Sequence, residues 1–78
     1  MEKLLGEIIG LIKEISGVEI SESQSLYDSA NVDSFMLLNS VLPRLMDDYN
    51  IEIEADDLIP ENFDTPSAIV SYIMKKKA

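Results

Sequence analysis

Cysteine, histidine and tryptophan are absent from this chain. Without cysteine there is no disulfide staple and no thiol nucleophile. Without histidine as well, common zinc sites lose their ligands and the usual general base is missing. Positive charge is scarce: 6 Lys and Arg stand against 15 Asp and Glu, a formal charge of −9. A field of that sign repels nucleic acid and anionic membranes and attracts basic protein surfaces. No apolar run approaches the length of a membrane span, and no signal peptide with a cleavage site is visible. The expectation is a soluble cytoplasmic monomer that binds neither nucleic acid nor membrane. What is present suffices for folding. An apolar fraction of 46% over 78 residues predicts one domain, 1–78. That size lies near the limit below which a single core contributes only a few kcal/mol.

The first helix is predicted from about Glu2 to Ser16. Leu4, Leu5, Ile8, Leu11, Ile12 and Ile15 recur at steps of three and four and make one apolar stripe. Gly6 and Gly10 each weaken a helix by about 1 kcal/mol relative to Ala. They either permit close packing or are merely accommodated. Gly17 is a natural left-handed stop, with Val18 able to fold back on the last turn. Residues 18–33 show no sustained periodicity and read as loop, about twice the usual length between bundle helices. Ile20, Leu26, Tyr27 and Val32 are spaced through it as apolar pegs, which predicts an ordered loop.

Asn31-Val32-Asp33-Ser34-Phe35 then opens a helix predicted from Ser34 to about Tyr49. Asp33 is a good N-cap, since its carboxylate can accept from free first-turn N–H groups. A phosphate esterified to Ser34 would lie where those groups and the helix dipole favour negative charge. The helix is apolar on most sides, and a chain this short cannot bury all of them. Some of Phe35, Met36, Leu38, Leu42 and Met46 are therefore expected at the surface. Pro43 lies inside the helix, where it removes a hydrogen bond to the Asn39 carbonyl and clashes with it. Leu37, Val41, Leu45 and Tyr49 step by four each time, so a straight helix would let the stripe drift by about 120° over three steps. A π-type bulge or kink between about Leu38 and Pro43 would cancel most of that drift and free the carbonyl. A smooth helix with a wrapping stripe is the competing reading.

Asn50 ends the helix. Residues 51–59 can form only a turn or two of helix before Pro60, with strand as the competing reading for 51–54, although one isolated strand has no partner in this chain. Phe63 reads as a buried peg, Thr65 as an N-cap and Pro66 as the favoured first residue of a last helix. That helix presents Ile69, Val70, Ile73 and Tyr72 to the core. Lys75, Lys76 and Lys77 suit the negative end of its dipole and read as a solubilising tail.

Across residues 8–73, the order and spacing of these parts resemble the acyl carrier protein family. The quoted segments are Leu26-Tyr27-Asp28, Asp33-Ser34 with its apolar follower, and Phe63-Asp64-Thr65-Pro66. Where that family often has glycine between the first two, this chain has Ala30 and Asn31, and Asn can supply the left-handed turn. The resemblance implies an all-α four-helix bundle with a short third helix and a long loop between helices 1 and 2. It implies a covalent 4′-phosphopantetheine from coenzyme A on Ser34, with Asp33 as its motif partner, attached by a phosphopantetheinyl transferase. It also implies traffic with acyl- or aminoacyl-activating ligases (synthetases) and acyl-transferring enzymes, in fatty acid biosynthesis or secondary metabolism. The expected partner surface is Phe35, Met36, Leu38, Asn39, Leu42, Met46, Asp47, Asp56 and Asp57. The family's docking helix carries acids in its first turns. Here Met36 and Asn39 stand there and the acids arrive late, at Asp47 and Asp48, which points to a specialised carrier docking by apolar contact. The Asp-Thr-Pro version is common in freestanding and in peptidyl or alanyl-type carriers. No nucleophile–base pair is present, so an enzyme is not expected. Two alternatives are an unmodified acidic interaction module and an enzyme using Asp56 and Asp57, a pair that reads more simply as a solvated helix face.

Overall fold

In the computed structural model, residues 2–77 are described, apart from the side chains of Glu2 and Ser34, and every regular element among them is helical. Helix α1 (Glu2–Ser16) matches its predicted span and ends where Gly17 turns left-handed at φ 78°. The Gly17 N–H returns to the Lys13 carbonyl, and the Ser16 hydroxyl accepts from the Val18 N–H. Ile8, Leu11 and Ile12 are buried, while Leu4, Leu5 and Ile15 pack at the edge of the core. Open space surrounds the Cα of Gly6 and of Gly10, so neither serves a close approach.

The 18–33 connection is ordered, and it contains a one-turn helix that its composition did not reveal: α2 (Leu26–Ser29). Ser25 caps it, with its hydroxyl accepting from the Asp28 N–H. Ile20, Leu26 and Val32 are buried as pegs, and Tyr27 is half-buried. The loop is also stitched to a distant segment. The Leu26 N–H donates to the Asp64 carbonyl at 2.7 Å, the Ser25 hydroxyl donates to Asp64 Oδ1 at 2.7 Å, and the Ser67 N–H donates to the Glu22 carbonyl.

Residues 34–49 run without a break through three geometries. Helix α3 (Ser34–Met36) leads into a π turn (Leu37–Val41), which leads into α4 (Leu42–Tyr49). The bulge expected ahead of Pro43 is therefore present. In it the Leu42 N–H reaches the Leu37 carbonyl, five residues back. Pro43 falls in the first turn of α4, where a missing N–H costs least. Leu37, Val41, Leu42 and Leu45 face the core. Asn50 then closes α4 in the left-handed region, at φ 53°.

Residues 51–54 take no regular structure, with Glu54 extended, and a 3-10 turn follows (Ala55–Asp57). Another single turn, α5 (Pro60–Phe63), precedes α6 (Pro66–Lys77). Thr65 caps α6 by accepting the Ala68 N–H at 3.0 Å. Phe63 is fully buried and meets the Tyr72 ring edge to face at 5.0 Å. Ile69, Val70, Tyr72 and Ile73 complete the core. Two of the C-terminal lysines do more than solubilise. Lys76 lies 3.2 Å from Asp57 and over the Tyr72 ring, and the Lys77 ammonium donates to the Tyr49 carbonyl at 2.9 Å.

Candidate functional site at the head of the second long helix

Local backbone chemistry builds the head of the 34–49 helix. Asn31 adopts the left-handed conformation, φ 56°, which suits Asn better than most residues. Val32 is buried, and its N–H donates to the Leu26 carbonyl, which pins the turn to α2. Asp33 follows as the N-cap, with Oδ1 accepting the Met36 N–H at 2.8 Å and its carbonyl accepting the Leu37 N–H. The backbone of Ser34 is the first residue of α3. The side chain of Ser34 lies outside the described part of the structure. Both neighbours, Asp33 and Phe35, are exposed.

Beside this head is an apolar cavity of about 140 Å³, lined by Tyr27, Leu37, Leu38, Leu58, Ile59, Pro60 and Phe63. Tyr27 also borders a shallow depression with Asn31, Val32 and Asp33, so it joins the cavity to the helix start. Burial pushes the Tyr27 hydroxyl above the usual tyrosine pKa, and the Asp64 charge adds to this. The phenol stays neutral at physiological pH.

The expected partner surface divides. Phe35 is 74% exposed and Leu38 49% exposed, so both face outward. Asn39 is exposed, with its side-chain amide donating to the Phe35 carbonyl. Met46 stands about two turns beyond Leu38, at the surface with its neighbour Asp47. Met36 is half-buried against the core. Leu42 corrects the expectation: it is buried, because it shares the inward face with Leu45 and with Val41, the last residue of the π turn. Of the two acids at 56 and 57, Asp56 is exposed, whereas Asp57 accepts the Tyr72 hydroxyl at 2.7 Å and the Lys76 ammonium at 3.2 Å. These two contacts, the tyrosine bond first, hold its carboxyl below the usual carboxylate range. Asp57 thus anchors the 3-10 turn to α6. Sequence reasoning missed Leu58 and Ile59, both exposed at the cavity mouth. The available signal was an apolar pair directly before Pro60 that belongs to no helical stripe.

No group of three or more potential metal-binding side chains occurs among the described residues, and no helix there is long and apolar enough to cross a membrane. No family model matches the chain, and no curated protein matches it significantly.

Proposed function

We propose that this chain is an acyl-carrier-type protein, a small helical bundle that holds an acyl or aminoacyl group on a 4′-phosphopantetheine arm at Ser34. One observation carries the reading. The three motif segments distant in sequence converge: Asp64 holds Ser25 and Leu26, Leu26 holds Val32, and Asp33 caps the helix that Ser34 begins. The surroundings of position 34 fit a phosphodiester. A helix start carries N–H groups without intrahelical partners, and beyond the capping Asp33, which takes the Met36 N–H, no acidic residue lies in the first turn of α3. The arm supplies a thiol that holds its cargo as a thioester. The chain's own residues supply placement: the Asn31 turn and the Asp33 cap fix the attachment point, and Phe35, Leu38, Leu58 and Ile59 offer apolar surface beside it. Tethering makes each partner's encounter with cargo effectively intramolecular. The acids steer basic partner surfaces towards the chain. In this reading α1, the 34–49 helix and α6 are the three long helices of the bundle, and the turns at 55–63 stand in for its short third helix.

Intact mass spectrometry tests the attachment. With coenzyme A and a broad-specificity phosphopantetheinyl transferase, the chain is expected to gain one phosphopantetheine, and Ser34→Ala is expected to gain none. Gain at Ser29 or Ser40 would overturn the site. No gain with several transferases would favour an unmodified interaction module.

A further inference from the structure

The exposure of residues 35–38 is not that of a regular helix. Leu42, Leu45 and Tyr49 define the inward face of α4, and Val41, the last residue of the π turn, continues it. Extended backwards at about 100° per residue, that face has Leu38 at its centre, Phe35 on its flank, Leu37 further out at its edge and Met36 on the far side. The structure departs from this at every position. Leu37 is 7% exposed, Leu38 is 49% exposed, Phe35 is 74% exposed, and Met36 packs partly against the core. One extra residue accounts for all four positions. The π turn makes each residue before it occupy the register that its successor would hold in a regular helix, a rotation of about 100°.

Two features make the alternative register accessible. Leu37 and Leu38 are adjacent and identical, so either can fill the same core position without leaving a void. Pro43 is exposed, so its influence comes through the backbone rather than through packing. In a regular helix its ring would clash with the Asn39 carbonyl; after the π turn it sits harmlessly in the first turn of α4.

We infer that residues 34–49 form a two-register element, and that Pro43 is the positioning residue that holds it in the π register. In that register Leu37 is inside, Leu38 lines the cavity from a half-exposed position and Phe35 faces outward. Without the proline ring the regular register becomes available. Leu38 then enters the core, Leu37 moves to the edge and Phe35 is withdrawn towards the flank. The inference stands apart from any carrier role, since it concerns only the backbone and the core.

The absence of native cysteine allows a direct test with single thiols. Leu37→Cys and Leu38→Cys are each made in the native and Pro43→Ala backgrounds and labelled with a maleimide under folding conditions. In the native background Cys at 38 is expected to react at least about tenfold faster than Cys at 37, the ratio that a buried and a half-exposed thiol imply. In Pro43→Ala that ratio is expected to collapse or invert. A ratio unchanged by Pro43→Ala would overturn the inference. A second measurement avoids core substitutions. In isotope-labelled protein, the through-hydrogen-bond coupling of the Leu42 amide nitrogen is expected to report the Leu37 carbonyl natively and the Leu38 carbonyl in Pro43→Ala. Persistence of the Leu37 partner in Pro43→Ala would equally overturn it.

Discussion

Tyr72 and Asp57 act at opposite ends of the pH scale through one hydrogen bond. Asp57 titrates below the usual carboxylate range because the Tyr72 hydroxyl and then Lys76 favour its ionised form. Its contribution to stability is therefore present above about pH 4 and lost as pH falls through the depressed value. Tyr72 is raised above the usual tyrosine value, first by burial and then by its bond to Asp57. Its contribution is complete below about pH 10 and declines as pH rises towards the raised value. Tyr72→Phe should remove both effects at once. The Asp57 pKa, followed by carboxyl carbon NMR, should rise towards the ordinary value. The alkaline limb of thermal stability should also become shallower. An Asp57 titration that ignores Tyr72→Phe would mean that Lys76 alone holds the charge.

At the scale of the element, the start of the 34–49 helix depends on a cap. Asp33 accepts the Met36 N–H in a turn that has no other acidic residue. Asp33→Ala should destabilise the chain by about 1 kcal/mol, as for other lost N-caps. In a domain of this size, that lowers Tm by about 4–8 °C. Asp33→Asn keeps the acceptor and should retain most of the stability. Equal losses for the two variants in urea titrations would show that charge, rather than capping, is what Asp33 contributes. The same helix carries two exposed apolar side chains, Phe35 and Leu38, at its bulged start. The π turn that relieves Pro43 also decides which apolar side chains are exposed, so helix geometry and surface composition cannot be altered independently here.

For the whole molecule, charge dominates. Among the described residues, ion pairs join Lys13 to Glu19, Arg44 to Glu14 and Asp48, and Lys76 to Glu54 and Asp57. These are mostly exposed, and such pairs contribute little each. Among the described residues most acids have no such pairing, and their mutual repulsion opposes compaction. Added salt or magnesium at about millimolar levels should screen that repulsion and raise Tm by a few degrees. A flat or falling Tm in a salt series would show that spacing already keeps the acids apart. The lysines at the C-terminus offset part of this field locally. Lys76 and Lys77 join α6 to the 3-10 turn and to the last turn of α4.

Much of this architecture was legible residue by residue, because its causes act within one helical turn. Gly17 and Asn50 end helices through their tolerance of positive φ, and Asp33 and Thr65 start them by accepting nearby N–H groups. Pro43 belongs with these, since its missing N–H and its ring act on a carbonyl four residues away, and together with the four-residue steps of Leu37, Val41, Leu45 and Tyr49 it located the bulge. What the chain could not reveal depends on contacts between distant segments. Ser25 and Leu26 are held by Asp64, 38 or 39 residues on, a pairing that no local preference encodes. The burial of Leu42, the exposure of Leu58 and Ile59, and the engagement of Asp57 by Tyr72 and Lys76 likewise follow from which faces meet. Between Leu37 and Leu38 the side chains are identical, so hydrophobicity cannot choose the inner one. That choice falls to the register imposed by the π turn and to the core into which one leucine fits.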